Sequence, residues 1–311
     1  KRAAGVKAAV VTSFGGPGVL RIEERAAPQP GAGEVRLRVR AAAMNPIDCK
    51  LREGRFRRVF RIAPPFIGGF DVAGEVEAVG EGVATLAPGD AVFGALAAPG
   101  AHAEQVCAPA ELLLPLPGGC SFEEAAALPG AGLSALIALR DLAEVRAGQD
   151  VLLNGASGGV GHFAVQIGRI MGAEVHAVCG PANAGFVTRL GAAQVHDYSA
   201  ASPDAIDHGF DVVFDVFGNQ DPRLLARQLG RDGVFVSTVP RGRTIGRELL
   251  ARLGLGRHRL VLVRSRRDDL ERLAAWIDCG ELRPHIDRVY APGDGAEAHR
   301  HVERKHTVGK V

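Results

Sequence analysis

The sequence predicts an α/β protein in which an all-β unit precedes a doubly wound parallel sheet with helices on its faces. The stretch EVRLRVRAA, residues 34–42, alternates apolar residues with arginines, which is typical of an antiparallel strand with one buried face. From about residue 150, short apolar stretches alternate with gaps long enough for a helix, which indicates a parallel sheet. A glycine-rich turn between the first of these stretches and a helical pattern supports the same architecture.

Short strands bounded by glycine and proline continue through the first part of the chain, in DVAGEVEAVG, DAVFGAL and AHAEQVCAP. Residues 1 to about 120 are therefore predicted to form an all-β barrel or sandwich. Pro46 lacks a backbone donor and disfavours helix at Asn45, so the strand that begins near residue 34 should end there. Ser121 and Glu124 have the spacing of a capping box, which predicts a helix at the boundary with the next unit.

Six strands are predicted after that boundary, in the stretches DVLLNG, AEVHAVCG, AAQVHDY, FDVVFDV, GVFVSTV and RLVLV. The tail from about residue 268 is predicted to contain a helix (DDLERLAAWIDCG), a strand (IDRVYA) and a second helix (AEAHRHVERKH). We expect this tail to return to the first unit. The predicted domains are residues 1–122 together with 266–311, and residues 123–265.

Charge and hydropathy give no reason to expect a nucleic-acid or membrane partner. The 311 residues include 37 Lys and Arg against 35 Asp and Glu, a formal net charge of +2. No membrane span is predicted, because no apolar run approaches the roughly 18 residues that one needs. The basic segment 241–267 is interpreted as a solvated helix face followed by an edge strand rather than as a nucleic-acid surface.

The cysteines are scattered, odd in number and without a C-x-x-C pair, which favours a reducing cytoplasm over a disulfide framework or structural zinc. They are Cys49, Cys107, Cys120, Cys179 and Cys279. The chain begins with lysine, so we expect the natural start to lie upstream of it.

The strongest motif is VLLNGASGGVGHFAVQIGRIMGAEVHAVCG, residues 151–180, in which Gly155, Gly158 and Gly161 have G-x-x-G-x-x-G spacing. Glycines at such positions allow a tight turn, close approach of backbone to pyrophosphate, and packing of helix on strand. The following helix offers free N–H groups and a positive dipole end to phosphate. The motif therefore predicts a dinucleotide cofactor, and the alternative is a tight turn without a ligand.

The end of the second strand of this motif bears on which dinucleotide is bound. An NAD site usually has Asp or Glu there, bonded to the ribose 2′-OH. The turn VCGPANAG, residues 178–185, has no acid, and Glu174 lies at the other end of the strand. The missing carboxylate removes repulsion of a 2′-phosphate, so NADP is favoured over NAD, although no Lys or Arg occurs between Cys179 and Thr188.

These features together resemble the zinc-free quinone and enone oxidoreductases of the medium-chain dehydrogenase/reductase superfamily. The resemblance rests on NPIDCKLREG, GFDVAGEVEAVGEGV, PGDAVFG, AAALPGAGLSAL, LLNGASGGVGHFAVQ, LGAAQVHDY and the terminal GKV. It implies a GroES-like β-barrel catalytic domain, a Rossmann nucleotide-binding domain, and a homodimer formed through the latter. The last strand of this family runs beyond the position of Val311, so we expect the natural chain to continue.

The resemblance also implies residue roles. Zinc-dependent relatives have Cys at the place of Asn45, and His with an acid near Gly69 and Asp71, so no metal is expected here. Asn45 is implied to hold the nicotinamide ribose or substrate, and Ser134 to lie near the nicotinamide. The other implied cofactor-binding residues form the pyrophosphate loop and the adenosine side: Gly155, Ser157, Gly158, Gly159, Val160, Gly161, Gly180, Asn183 and Tyr198.

Without zinc, an unactivated alcohol is disfavoured as a substrate, and a quinone or enone is expected instead. Hydride adds to such an acceptor and charge gathers on its oxygen, which fixed donors can stabilise. Asn45 and Lys50 are the predicted catalytic residues, with a solvated turn residue as the alternative for Lys50. Asp48 is expected to orient the loop or to pair with Lys50.

Two other functions stay open at this point. One is a 2-enoyl-thioester reductase, against which the missing Tyr near the NPID segment counts. The other is a cofactor-binding relative with little turnover, used as a structural protein or as a partner of RNA or protein. NADPH consumption with a panel of quinones and enones separates the last alternative from an enzyme.

Overall fold

The structure is a computed structural model, and it describes residues 5–206, 208–240 and 257–311. Contacts divide the chain into two compact units. The first unit comprises Lys1–Gly130, Ser265–Gly280 and Pro284–Val311, and the second comprises Ala131–Arg264 and Glu281–Arg283. The predicted boundary after residue 122 lies at the start of a helix, whereas the observed boundary lies within that helix.

Antiparallel strands form most of the first unit. They are β1 (Gly5–Val11), β2 (Leu20–Ala26), β3 (Glu34–Ala43), β4 (Phe66–Ile67), β5 (Asp71–Val79), β6 (Ala91–Ala95), β7 (Gln105–Pro109) and β8 (Leu113–Pro115). Two sheets result, with strand orders β2-β1-β4 and β7-β3-β5-β6-β8. The strands predicted in this part of the chain are confirmed, and they place the end of β3 beside the start of β5 through the pair Ala43 and Asp71.

The alternation in β3 has the predicted physical cause. Val35 and Leu37 are fully buried in a core that also contains Val72, Val92 and Leu113. Arg36 and Arg38, which alternate with these residues, lie on the other face, where Arg38 pairs with Glu77 at 2.7 Å. Burial of the apolar side chains therefore fixes which face of the sheet is inward, because a shift by one residue would exchange the faces.

The segment after β3 is a helix, α1 (Pro46–Arg52), so the all-β prediction for this unit needs correction. Asn45 is extended, with φ −122° and ψ 155°, as predicted for a residue before proline. Pro46 then occupies the first helical position, where a missing N–H costs nothing and its fixed φ suits the helix. The buried Arg52 ties the end of α1 to Glu303 near the chain end.

The helix α2 (Phe122–Leu136) begins at the predicted capping box, in which Ser121 N donates to Glu124 and Glu124 N donates to the Ser121 hydroxyl. It continues as a π-helical segment, Ile137–Leu142. Together these 21 residues are long and apolar enough to cross a membrane, contrary to the prediction of no such stretch. Because 72% of that window is buried within the protein, the helix is a core helix.

The second unit has six parallel strands in the order β11-β10-β9-β12-β13-β14. Their bounds are β9 (Asp150–Asn154), β10 (Glu174–Cys179), β11 (Gln194–Asp197), β12 (Phe210–Asp215), β13 (Leu229–Ser237) and β14 (His258–Leu260). The described helices among them are α3 (Gly161–Ile170), α4 (Ala184–Arg189) and α5 (Pro222–Leu225). All six predicted strands are confirmed. The order in which successive strands are added changes from one side of β9 to the other, between β9 and β12, and such sheets bind ligands at this point.

The tail contains the two predicted helices, α6 (Arg267–Asp278) and α7 (Gly295–Glu303). The strand predicted in IDRVYA is wrong, since only an isolated bridge joins Ile286 to Lys310. Most of the tail belongs to the first unit, as predicted. Residues 241–256 of the basic segment lie outside the described residues, and the edge strand predicted after them is β14, at one end of the sheet.

Candidate functional site

The glycine loop joins β9 to α3 and can hold a pyrophosphate. Gly155 has φ +90°, and a Cβ on Gly161 would lie 2.1 Å from the Gly155 carbonyl oxygen, so neither position accepts a side chain without rearrangement. Gly158 N donates to Gly155 O at 3.2 Å, which closes the turn. Gly159 and Val160 complete it, partly exposed, before α3 begins at Gly161. The loop therefore presents backbone at the amino end of a helix, where an anion is favoured.

The second unit brings together four of the predicted cofactor residues in two pairs. Asn183 Nδ2 donates to Ser157 Oγ at 3.2 Å, which links the turn after β10 to the glycine loop. Gly180 lies against the half-exposed Tyr198, whose hydroxyl would be 3.0 Å from a Cβ at position 180. The predicted Ser134 is buried in α2.

An amide and a carboxylate hold the carboxyl ends of β9 and β12 in register. Asn154 Nδ2 donates to Asp215 Oδ1 at 2.8 Å and to Asn219 Oδ1 at 3.1 Å. Asp215 Oδ1 also accepts the Gly218 N–H at 2.9 Å. These contacts give Asp215 the loop-fixing role and place Asn154, which the sequence did not single out, beside the loop.

In the first unit, the side chain of Asn45 is held at both of its polar atoms. Its Nδ2 donates to Asp71 Oδ2 at 2.8 Å, and its Oδ1 accepts from Lys310 Nζ at 2.6 Å. The two partners fix the orientation of the amide, because only the oxygen can accept from an ammonium and only the nitrogen can donate to a carboxylate. The second Nδ2 hydrogen has no partner among the described residues, and Asn45 is only half-buried.

Backbone contacts keep this cluster of Asn45, Asp71 and Lys310 in place. Asp71 Oδ1 accepts the Gly130 N–H at 3.0 Å, next to Pro129 in α2. Lys310 Nζ also donates to the Met44 carbonyl at 2.9 Å. Asp48 caps the start of α1, since its carboxylate accepts from Asn45 N at 2.8 Å and from Gly69 N at 3.2 Å. Asp48 therefore orients the loop, one of its two predicted roles, and does not pair with Lys50.

Burial governs the ionisation of these groups. It raises the pKa of Asp71 to about 6, against the opposing attraction of Lys310 and the hydrogen bond from Asn45. Burial likewise raises the pKa of Asp48 and lowers that of Lys310. The Asp71 carboxylate and the Lys310 ammonium compensate each other, which is how a buried pair of charges is tolerated.

Lys50 lies apart from this cluster in its contacts. Its ammonium has no hydrogen-bond or ion-pair partner in the described part of the chain. Burial lowers its pKa first, and the neighbouring cations Lys305 and Arg55 lower it further. A half-buried lysine with a lowered pKa and no partner suits proton donation or binding of an anionic oxygen.

The fold and these two groups of residues allow comparison with known proteins. The family profile described as "Alcohol dehydrogenase GroES-like domain" matches residues 31–118, and that described as "Zinc-binding dehydrogenase" matches residues 190–311. A "Chloroplast envelope quinone oxidoreductase homolog" from Arabidopsis thaliana is 31% identical, with 96% of this chain and 94% of that protein covered. The chain belongs to the quinone oxidoreductases of the medium-chain dehydrogenase/reductase superfamily.

Solved structures agree with membership of the quinone oxidoreductases. The quinone oxidoreductase from Coxiella burnetii superposes with a TM-score of 0.92 at 31% identity, covering 99% of this chain and 98% of that one. A structure described as CurK enoyl reductase superposes with a TM-score of 0.84 at 25% identity, covering 98% of both chains. Oxidoreductases of this superfamily bind a nicotinamide cofactor, and the glycine loop described above fits one.

The residues do not fit a zinc ion, despite the description of the second family profile. Zinc binds thiolate, imidazole or carboxylate. The place of the metal in zinc-dependent relatives holds an amide, Asn45, a residue without a side chain, Gly69, and one carboxylate, Asp71. The Lys310 ammonium already donates to Asn45 Oδ1 there. Cys49 is no substitute, because burial raises its pKa to about 12 and its thiol contacts the His299 carbonyl.

Lys310 is another site residue that the sequence did not single out. It lies in the terminal GKV, one of the motifs that carry the family resemblance. Gly309 has φ +80°, and a Cβ there would lie 2.3 Å from the His285 carbonyl oxygen. Glycine is thus required for the chain to turn Lys310 into the buried site beside Met44.

Proposed function

We propose that this protein is an NADPH-dependent, zinc-independent reductase of quinones or α,β-unsaturated carbonyl compounds. The observation that carries the proposal is the Asn45 amide, fixed between Lys310 and Asp71, with one N–H that no described residue accepts. A donor held before the reaction is effective because it needs no reorganisation when charge develops.

The second unit supplies the cofactor site in this proposal. The loop residues Ser157 to Gly161 would hold the pyrophosphate, and Gly180, Asn183 and Tyr198 the adenosine side. When bound, the reduced nicotinamide supplies the hydride. The protein's own contribution is to orient the nicotinamide. Gly155 and Gly161, which cannot carry a side chain without rearrangement, leave the backbone of the loop open to the pyrophosphate.

Asn45 would donate its remaining N–H to the acceptor oxygen, or to the nicotinamide ribose, as the family resemblance implies. Lys310 and Asp71 act as positioning residues, since each reaches the reaction through the amide. The cation beside Asn45 is the Lys310 ammonium and not a zinc ion. The oxygen of the substrate would therefore be polarised by a hydrogen bond from Asn45 and not by a metal. This suits acceptors whose reduced form is a stabilised enolate or hydroquinone anion and disfavours simple alcohols.

Lys50 is proposed as the second catalytic residue. Its lowered pKa, and an ammonium without a partner among the described residues, suit delivery of a proton to an enolate near neutral pH.

We propose NADPH rather than NADH as the cofactor because the turn after β10 contains no acid. The nearest acid in the next strand, Asp197, accepts bonds from the backbone and hydroxyl of Ser199 at 2.8 and 2.7 Å. A cation also lies close: Arg189 Nη1 would be 3.5 Å from a Cβ at Gly185. The engaged carboxylate of Asp197 and the positive charge of Arg189 both support a preference for a cofactor with a 2′-phosphate.

Steady-state oxidation of NADPH with 9,10-phenanthrenequinone, a small enone and a crotonyl thioester tests the proposal. Turnover of the quinone or enone with NADPH, at a higher kcat/KM than with the thioester, supports it. Absence of turnover with all three compounds by a protein that binds NADPH would instead favour the structural relative.

The similarity to CurK enoyl reductase keeps the 2-enoyl-thioester reductase as a second candidate. The chain has two tyrosines. Tyr198 lies beside Gly180, and the Tyr290 hydroxyl is 2.7 Å from His301 Nδ1. Neither lies in α1, the segment near which the resemblance implies a proton-donating Tyr in enoyl-thioester reductases, so the quinone and enone reaction is preferred.

We also propose a homodimer located in a reducing cytoplasm. All five cysteines are free, which suits that compartment. Leu262 is 60% exposed just beyond β14, the last strand of the described sheet, and Val263 follows it at 43%. Pairing through this edge would bury both side chains. Light scattering at several concentrations tests it, and a monomer throughout would contradict it.

A further inference from the structure

Three side chains converge at the amino end of the parallel sheet, away from the glycine loop. Asp150 is the first residue of β9, His176 lies in β10, and His208 lies two residues before β12. His176 Nε2 is 3.1 Å from Asp150 Oδ1, and His208 Nε2 is 3.2 Å from Asp150 Oδ2. The loop follows Asn154 at the other end of β9, about 13 Å away at the rise of a strand.

We propose that Asp150, His176 and His208 form a zinc site that is separate from the cofactor site. One ligand atom from each residue lies within 4.8 Å of the others. Zinc bonds nitrogen and carboxylate oxygen at about 2.0–2.2 Å in a tetrahedron, which places ligand atoms roughly 3.4 Å apart. Each imidazole faces a different oxygen of Asp150 at close to that separation, so a bound ion would need to draw the three ligand atoms together from within 4.8 Å.

The chemistry of the three donors favours zinc among the common metals. Two imidazoles and one carboxylate are ligands that Zn²⁺ accepts readily, whereas Mg²⁺ and Ca²⁺ prefer oxygen donors. His176 is buried and His208 is exposed, with 38% of its side-chain surface accessible. The ion could therefore enter from the His208 side, and a fourth coordination position would face solvent there.

A second histidine orients the buried ligand. His176 Nδ1 is 3.3 Å from His196 Nε2, and the two rings stack with centroids 5.5 Å apart. A neutral His196 ring can accept the N–H of His176 Nδ1 through its Nε2. That leaves His176 Nε2 free to bind metal, and a hydrogen bond on the far nitrogen is the usual support of a metal-bound histidine.

Carboxylates beside the cluster add favourable charge. Asp211 Oδ2 accepts the Asp150 backbone N–H at 2.9 Å, and Glu174 is the register partner of Asp150 on β10. An ion in this position would join three neighbouring parts of the sheet: β9, β10 and the segment entering β12. We infer a stabilising role for the nucleotide-binding unit, since the site lies at the end of β9 opposite the glycine loop.

Isothermal titration of tag-free, chelator-dialysed full-length protein with ZnCl₂ tests the site. We expect one zinc per chain in the wild type. His208→Asn and Asp150→Asn should each lower the affinity at least tenfold, whereas His306→Asn, which removes an exposed histidine of the first unit, should not. His196→Asn should lower the affinity by about 10–100-fold without changing the stoichiometry, the effect typical of residues that support a metal ligand.

Cobalt binding to the wild type gives a readout that needs no variant to fold. Co²⁺ should produce the visible absorption of a four-coordinate site and be displaced by one equivalent of Zn²⁺, and saturation with zinc should raise the melting temperature. Folded wild type that binds no zinc would overturn the proposal. Equal zinc affinity in the wild type and His208→Asn would overturn it as well. Both readouts are independent of reductase activity, so failure of the zinc proposal can be distinguished from failure of the proposed function.

Discussion

Lys310 Nζ lies 2.6 Å from Asn45 Oδ1, although the two residues are 265 positions apart in the chain. The contact joins the end of the tail to the entry of α1 and holds the amide in one orientation. Asp71 completes the arrangement from the other side of the amide. In this family member, a buried ammonium thus lies next to the residue that stands at the place of a zinc ligand, and one N–H of the amide has no partner among the residues that the structure describes.

The ionisation of Asp71 should appear in the pH dependence of kcat/KM. Its carboxyl group accepts the Asn45 N–H most strongly when ionised, and burial raises its pKa to about 6. We expect kcat/KM to fall as the pH drops below about 6. Asp71→Asn should abolish this limb of the profile. A profile that keeps the same limb in Asp71→Asn would show that another group is responsible.

The same group has a predictable effect on stability. Because the folded-state pKa of Asp71 is raised above the unfolded value of 3.8, the folded protein holds this proton more tightly. Its contribution to the free energy of unfolding is present below pH 4 and is lost as the pH rises through about 6. Wild type and Asp71→Asn, compared by urea unfolding across this range, should differ in slope, with the wild type losing relatively more stability. Parallel curves would contradict the raised pKa.

Lys50→Met should lower kcat and kcat/KM together by about 10- to 1,000-fold, while NADPH affinity stays nearly constant. The substitution removes a half-buried ammonium of lowered pKa, which has no partner in the described part of the chain, and keeps much of the side-chain length. Lys305→Met is the matched control, because Lys305 is a neighbouring but exposed lysine. If both variants turn over every accepted substrate like the wild type, Lys50 is a surface residue of α1.

Gly180→Asp should reverse the preference for NADPH by placing a carboxylate where the 2′-phosphate would lie. A Cβ at this position approaches the Tyr198 hydroxyl to 3.0 Å, so crowding alone could weaken binding of either cofactor. Gly180→Ala controls for that crowding and should preserve the preference. Titration by nicotinamide fluorescence measures both affinities. NADH binding as tight as NADPH binding in the unmutated protein would refute the prediction.

The parts of the fold that local patterns determine were predictable from the sequence. The alternation of β3, the capping box at Ser121 and the glycine loop depend on neighbours along the chain, and all were found. The strand predicted in IDRVYA is wrong. Its alternation is a local pattern, whereas a strand needs a neighbouring strand, and in this segment only Ile286 forms a β-bridge, with Lys310, among the described residues. The helix α1 was missed because Pro46 ends one element and begins the next.

The site was only partly predictable for the same physical reason. Asn45, Ser157, Gly180, Asn183 and Tyr198 could be named from motifs, and the structure brings the last four together in pairs. Lys310, Asn154 and the cluster around His176 depend on contacts between distant segments, which no spacing in the sequence reveals. The preference of Asn45 for Lys310 over Lys50 is likewise a property of the folded chain.

Zinc independence of the reductase activity can be tested separately from the proposed zinc site of Asp150, His176 and His208. His208→Asn lacks one ligand of that site, so its metal content after purification should be well below one zinc per chain. Dialysis of the wild type against a strong chelator should leave the rate of NADPH oxidation unchanged, because Asn45, Gly69 and Asp71 do not form a zinc site. Activity that disappears on dialysis and returns with zinc would contradict metal independence.

The most direct test of the account is the rate of hydride transfer in a single turnover of chelator-treated protein saturated with NADPH. Stopped-flow decay of nicotinamide absorbance on mixing with 9,10-phenanthrenequinone reports that rate for the wild type and for Asn45→Ala. If the fixed amide stabilises the charge that develops on oxygen, the variant should be slower by about 100- to 1,000-fold. Hydride transfer at the wild-type rate in folded, NADPH-saturated Asn45→Ala would contradict it.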